Sequence, residues 1–276
     1  MKEMSKVSKY ALYERSVQSP ASHADWFRRI FREIRAARGK PGPDPEHLQE
    51  DFCGTFLLSC EWVRSGPRKT AVGVDLDHEP LLYGKRNHFA RLSKDEKSRI
   101  RIVRRNVLFS KNPDRKEAPD LITACNFSVF EFKERQALLR YFRNCKTSLN
   151  HHGILILEIA GGPGMIENSR ETKKIRHQGT PFTYVWDQRS FDPITREGHF
   201  SIHFKRGNAR VFHDAFTYHW RLWTIPELRE ALIDAGFKRT CVYWETAHEG
   251  EGTGEFIQTD QGDNAYSWIA YVVGIR

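Results

Sequence analysis

Apolar positions first settle into a clear period after residue 20. Trp26, Phe27, Ile30, Phe31 and Ile34 fall on one face of a helix, and Arg28, Arg29, Arg32, Arg35 and Arg38 take the polar side. Ser22 and Asp25 form a capping-box-like pair ahead of that face. The preceding stretch, Lys9 to Gln18, shows no clear period and ends at Ser19-Pro20, which predicts a lid or arm rather than a helix. Gly39 to Pro45, with three prolines and two glycines, reads as a linker.

Beyond the linker, strands and helices alternate. Glu46 to Asp51 reads as a short polar strand and Thr55 to Arg64 as the helix behind it, with Phe56, Leu57, Cys60 and Val63 inward. Further strands are predicted at Thr70 to Leu76, Ile100 to Arg104, Leu121 to Cys125 and Ile154 to Ile159. Helices are predicted from Glu79, with Pro80 in its first turn, and over Glu134 to Leu149. That alternation predicts a parallel sheet covered on both faces.

After Gly161-Gly162-Pro163-Gly164 the rhythm changes. Three aromatic-rich stretches, Thr180 to Phe191, His199 to Lys205 and Ala209 to Leu222, are broken by Pro193 and by the turn Arg206-Gly207-Asn208. They predict an antiparallel insertion at about 161–223. A helix from Ile225 stops at Gly236, and Lys238 to Glu245 and Ser267 to Gly274 read as two closing strands. The division expected is an arm and basic helix over 1–44, then one domain over 45–276 with an acidic loop at 246–266.

Composition narrows the class. No stretch approaches the roughly 20 apolar residues of a membrane span, and Met1 to Tyr10 lacks a secretory apolar run, so the expected location is the cytoplasm. Cys53, Cys60, Cys125, Cys145 and Cys241 are scattered and suggest neither a disulfide framework nor a zinc site; no metal is expected. The formal charge of +9 raises nucleic acid as a partner. Met1 to Lys40, however, holds ten Lys/Arg against four Asp/Glu, which favours a solvated helix face.

The candidate chemistry lies where strands end. Glu50 and Asp51 run into the turn Phe52-Cys53-Gly54-Thr55; Asp75 and Leu76 close the second strand; Asn106 and Val107 follow the third; Asn126 and Phe127 follow the fourth. In an open α/β sheet these are the ends at which ligands bind. In that order and spacing the motifs resemble those of class I S-adenosylmethionine-dependent methyltransferases. The aromatic insertion and Tyr-rich arm are similar to small-molecule, glycine N-methyltransferase-like N-methyltransferases.

The resemblance implies a Rossmann-like, doubly wound, seven-stranded, mostly parallel sheet with an antiparallel β insertion after the fifth strand. It implies S-adenosyl-L-methionine as cofactor, with Glu50 or Asp51 near its amino-acid part, Gly54 allowing close backbone approach and Asp75 on the ribose. Asn106 and Val107 would hold the adenine, and Asn126 would line the floor near the sulfonium. Phe52 and Phe56 stand where the family's first and third turn glycines would be, and Asn106 where the third strand usually carries Asp. A nicotinamide-binding dehydrogenase would need a three-glycine fingerprint that is missing.

Methyl transfer to a small-molecule amine is the expected function. RNA or protein methylation, or a non-catalytic module binding S-adenosylmethionine or S-adenosylhomocysteine, are the alternatives. An amine must be neutral when it attacks, so a nearby Tyr, His or carboxylate could accept its proton. Tyr13 and His219 are the catalytic candidates; Tyr10, Glu158, Arg221 and Glu249 are the substrate-binding ones. From Glu245 to Tyr266 the chain carries six acidic residues and no Lys or Arg. It is expected either to be a mobile acidic lid over the acceptor or to neutralise the basic N-terminal helix.

Overall fold

The computed structural model describes residues 7–39, 41–109, 118–177, 179–207, 209–248 and 251–276. Five strands run parallel in the predicted alternation: β1 (His47–Asp51), β2 (Thr70–Asp75), β3 (Ile100–Arg104), β4 (Leu121–Ala124) and β5 (Ile154–Gly161). β4 and the body of β5 are buried throughout, which is why they read as unbroken apolar runs. The chain continues into β10 (Arg239–His248), β11 (Glu251–Gln258) and β12 (Trp268–Ile275). The sheet order is β11-β10-β12-β5-β4-β1-β2-β3, with β12 antiparallel to both β5 and β10.

The sheet therefore has eight strands where seven are expected. The extra one, β11, comes from the acidic segment, which pairs antiparallel with β10 at the sheet edge and buries Phe256 against Tyr271. Six carboxylates in the window hide the strand signal, because Phe256 and Ile257 are its few large apolar residues. Glu249 lies outside the described residues.

Helices cover both faces. On one, α2 (Pro20–Ala37) and α3 (Leu57–Arg64) bury Phe27, Ile30, Phe31, Trp62 and Val63 against Leu48, Ile156 and Tyr271. On the other, α6 (Arg135–Ser148) and α7 (Ile225–Asp234) bury Leu138, Phe142, Leu228 and Leu232 against Ile122, Leu155 and Leu157. α4 (His78–Asn87) and the short α5 (Lys94–Ser98) lie between β2 and β3 in the chain. α2 opens at Pro20, not Ser22: proline sits at the first helical turn, where its missing N–H costs nothing.

Two further departures shape the site. Lys9–Val17 is a helix, α1, capped by the Ser8 side chain, which accepts from the Tyr10 N–H. It lacks a simple period because its neighbours differ around its circumference. Leu12 enters a small cluster with Phe182, Ile202 and Phe204, while Tyr10 packs on Tyr83 and Phe216. The insertion is a separate antiparallel sheet of four strands, β6 (Ser169–His177), β7 (Thr180–Asp192), β8 (Glu197–Arg206) and β9 (Ala209–Arg221), in that order. β6 escapes a hydrophobicity reading because it is a charged edge strand, Ser-Arg-Glu-Thr-Lys-Lys-Ile-Arg-His.

Candidate active site

Chain order reverses between β1 and β4, and a cavity of about 850 Å³ opens at the carboxyl ends of the strands there. It is walled by the cofactor-type motifs on one side, by α1 on another, and by β9 of the insertion on a third. Of the twelve residues assigned to cofactor binding from sequence, eleven line it: Glu50, Asp51, Phe52, Cys53, Gly54, Thr55, Asp75, Leu76, Asn106, Val107 and Asn126. Phe127 does not; its ring packs on Phe130 and Trp220 behind the wall.

The turn after β1 is tightly tied. Cys53 N–H donates to Val74 O (3.0 Å), Phe56 N–H to Cys53 O (2.7 Å), and Gly54 N–H to the Asp75 carboxylate (2.7 Å). Phe52, Gly54 and Phe56 all take left-handed backbone, with φ of 56°, 52° and 47°. A Cβ built on Gly54 would meet no atom within 4 Å, so the turn presents bare backbone to open cavity.

Three carboxyl groups face this space with different freedom. Asp51 accepts from Gln49 Nε2 and from the Tyr141 hydroxyl, both at 2.9 Å, so each of its oxygens is occupied. Glu50 accepts the Ser59 N–H (2.9 Å) and hydroxyl on one oxygen only, leaving Oε1 without a partner among the described residues. Burial pushes Glu50 up to about 8 and Asp51 up to about 7, partly opposed by those hydrogen bonds. Asp75 is also raised by burial, with the Asp77 and Gly54 N–H groups pulling the other way. Leu76, next along, is 59% exposed, and Asn106 Oδ1 accepts from Leu108 N–H (2.9 Å), leaving its amide nitrogen for the cavity.

α1 is fastened across the cavity. Thr55 Oγ1 donates to Glu14 Oε1 (2.6 Å), His88 Nε2 lies 2.6 Å from the same oxygen, and Lys9 pairs with Glu79 (3.1 Å). Tyr10 and Tyr13 thereby reach the lining. Tyr13 shares a side-chain hydrogen bond with Tyr218, and burial pushes its hydroxyl up to about 12.

Other assigned residues point elsewhere. On β9, Phe216, Thr217, Tyr218 and Trp220 line the cavity, while His219 and Arg221, which alternate with Tyr218 and Trp220, do not. His219 pairs with Glu197 (3.0 Å) with its side chain 56% exposed; Arg221 donates to Lys133 O (2.8 Å) and stacks on Trp223. Glu158 is buried behind the lining, where it accepts the Asn126 N–H (2.7 Å) and so holds that turn. None of the described residues in 246–266 lines the cavity. Among the lining residues that sequence reasoning missed are Arg105, Glu131, Phe216, Tyr218 and Trp220, with Glu14 holding Thr55 beside them. Period-two alternation would have separated Tyr218 and Trp220 from His219 and Arg221, but not said which pair faces in.

No family model matches the chain, and no curated protein does. Among solved structures it is similar to a sugar N-methyltransferase from Streptoalloteichus, at 17% identity over 97% of this chain and 92% of that one, with a TM-score of 0.65. An S-adenosylmethionine-dependent methyltransferase from Clostridium acetobutylicum gives 15% identity, 96% coverage of both chains and a TM-score of 0.66. An amino pentose methyltransferase from Micromonospora echinaspora gives 18% identity, 95% coverage of both and a TM-score of 0.64. The chain has the Rossmann-like fold of these methyltransferases, insertion included.

Proposed function

We propose that the chain is an enzyme that binds S-adenosyl-L-methionine and methylates a small molecule at an amine nitrogen. The observation that supports this most directly is the convergence of Glu50, Gly54, Asp75, Leu76, Asn106 and Asn126 on one cavity at the switch point of the sheet. Each offers what one part of the cofactor needs. The unpaired oxygen of Glu50 suits an ammonium, bare backbone at Gly54 suits close approach, Asp75 suits ribose hydroxyls, and exposed Leu76 gives a flat purine an apolar floor. The cavity lies in the upper part of the ~300–1,000 Å³ typical of ligand sites, which leaves room for a second ligand.

When bound, the cofactor supplies a methyl group on a sulfonium for in-line displacement. The protein's task is alignment in a space with little water. α1 and β9 close the cavity around Tyr10, Tyr13 and Tyr218. With its hydroxyl pushed up to about 12, Tyr13 stays neutral and orients an acceptor by hydrogen bonding. Nitrogen as the accepting atom draws support from the solved structure described as a sugar N-methyltransferase.

Modification of RNA has less support. Arg28, Arg29 and Arg32 of α2 each pair with a carboxylate, and no residue of α2 lines the cavity. Calorimetric titration with S-adenosylmethionine tests the cofactor; no binding by the parent protein at millimolar ligand sinks the proposal. Asp75→Ala should bind at least about tenfold more weakly, since a hydrogen bond to a charged group contributes about 1.5–3 kcal/mol. Turnover with a panel of primary and secondary amines then separates an enzyme from a binding module.

A further inference from the structure

The cavity contains a carboxylate that the cofactor reading leaves without a task. Glu131 ends the 3-10 turn after β4, and one of its oxygens accepts the Trp220 indole N–H at 2.8 Å. Trp220 is 3% exposed, so the indole fixes the carboxylate from behind, while Glu131 itself remains open to the cavity that it lines. Beside it β9 presents Tyr218, and Phe216 of β9 and Tyr13 of α1 line the same cavity. The Tyr13 and Phe216 rings lie 4.8 Å apart, and Tyr218 stacks on Trp220 at 4.3 Å. A fixed carboxylate next to several aromatic rings is the arrangement that attracts an organic cation, by charge and by the negative faces of the rings.

The other acidic residues of the lining are otherwise placed. Glu50, Asp51 and Asp75 belong to the turn and to the end of β2, Asp77 caps α4 by accepting the Glu79 N–H, and Glu134 sits at the exposed start of α6. Lys133, which also lines the cavity, is paired with Glu197 (3.1 Å); its charge is felt at Glu131, but no ion pair joins the two. A purely structural partner for an indole N–H needs no charge, since a backbone carbonyl serves, as Phe132 O does for Trp223 at 2.7 Å.

We infer that Glu131, held by Trp220 and set beside Tyr218, is the specificity residue that admits the acceptor as an organic ammonium, which gives up its proton before the neutral nitrogen attacks. The inference rests on the proposed function for the neighbouring cofactor half of the cavity, and it assigns a separate group to the acceptor half.

Choline and its neutral isostere 3,3-dimethylbutan-1-ol have nearly the same shape and differ in charge, so they read the cationic preference without turnover. Binding of each to the S-adenosylhomocysteine-saturated full chain is followed by Trp fluorescence and by ligand-observed NMR. The parent protein should bind choline at least tenfold more tightly than the alcohol. In Glu131→Gln, whose amide oxygen still accepts from Trp220, that preference should vanish while S-adenosylmethionine affinity stays within twofold. Equal affinity for the two probes in the parent, choline showing no binding at all, or a preference that survives in Glu131→Gln would each overturn the inference. Loss of cofactor binding by the parent is a different result and counts against the proposed function instead.

Discussion

Glu50→Gln should stabilise the cofactor-free protein and weaken the cofactor. Glu50 is buried, and burial raises its pKa from 4.5 to about 8. A carboxyl whose folded pKa lies above its unfolded one holds its proton in the fold while the unfolded chain gives it up. Its contribution to stability is fully present below pH 4.5 and is lost as pH rises towards about 8. At about 1.4 kcal/mol per pH unit the loss is on the order of 4 kcal/mol, less whatever the site gains by relaxing or by sharing its proton with Asp51. Glutamine cannot ionise in either state, and its amide oxygen can still accept from the Ser59 N–H and hydroxyl.

Urea unfolding of both cofactor-free proteins at pH 5, 6, 7 and 8 measures this. The two should nearly coincide at pH 5, and the variant should gain a few kcal/mol on the parent by pH 8, roughly 5–10 °C in melting temperature. In the parent, pairing with the cofactor's ammonium requires Glu50 to ionise. Affinity should therefore climb as pH rises towards 8, with proton release seen by calorimetry in buffers of different ionisation heat. The variant should release no such proton and should bind roughly 10–100-fold more weakly, the range for a lost charged hydrogen bond. Parallel stability curves, or unchanged affinity, would refute the electrostatic account of the turn.

Two other substitutions test the geometry. A Cβ on Gly84 of α4 would lie 2.2 Å from Thr55 O and 2.6 Å from the Phe56 ring, so Gly84→Ala should cost about 1–3 kcal/mol in a melt and weaken cofactor binding through the displaced turn. For the acceptor side, His219→Ala should leave kcat and KM within about twofold, because His219 faces away from the cavity; Tyr13→Phe, which removes the hydrogen bond with Tyr218, should lower kcat by about fivefold or more. A deficit in His219→Ala as large as that in Tyr13→Phe would place β9 the wrong way round.

What could be read from the sequence follows from how far apart its causes lie. β4 and β5 are legible because burial on both faces writes itself into consecutive apolar residues, and the motif turn because its residues are neighbours in the chain. β6 and β11 are edge strands, held by ladder hydrogen bonds that any side chain permits, so their charged sequences carry little trace of them. α1 is specified by partners about 70 to 200 residues away, such as Glu79, Phe182 and Phe216. The orientation of β9 is the costliest gap: alternation defines two faces, but only the docking of the insertion and α1 decides that Tyr218 lines the cavity and His219 does not.

The two phenylalanines in the turn explain how a glycine-poor motif keeps a glycine-rich shape. Left-handed backbone costs an L residue roughly 1–2 kcal/mol, and Phe52 and Phe56 both adopt it. Each ring offsets that strain by burial. Phe52 packs edge-on to Phe132 and Tyr141, at 5.8 Å and 6.0 Å, and Phe56 is 1% exposed. Fully burying a Phe side chain contributes about 1.5–3 kcal/mol, enough to match the strain at Phe56; the half-buried Phe52 recovers part of it. The space has been moved, not lost. A side chain at Gly84 of α4 would strike Thr55 and Phe56, and one at Gly73 of β2 would crowd Cys53 and Phe56, so small residues on the partner elements supply the clearance that glycines in the turn would otherwise provide. Of these three glycines only Gly54 faces the cavity, and it is the position at which a side chain would meet ligand instead of protein. The glycine that remains in the turn is thus the one whose absence of a side chain serves binding, while the other two requirements are met by packing from outside.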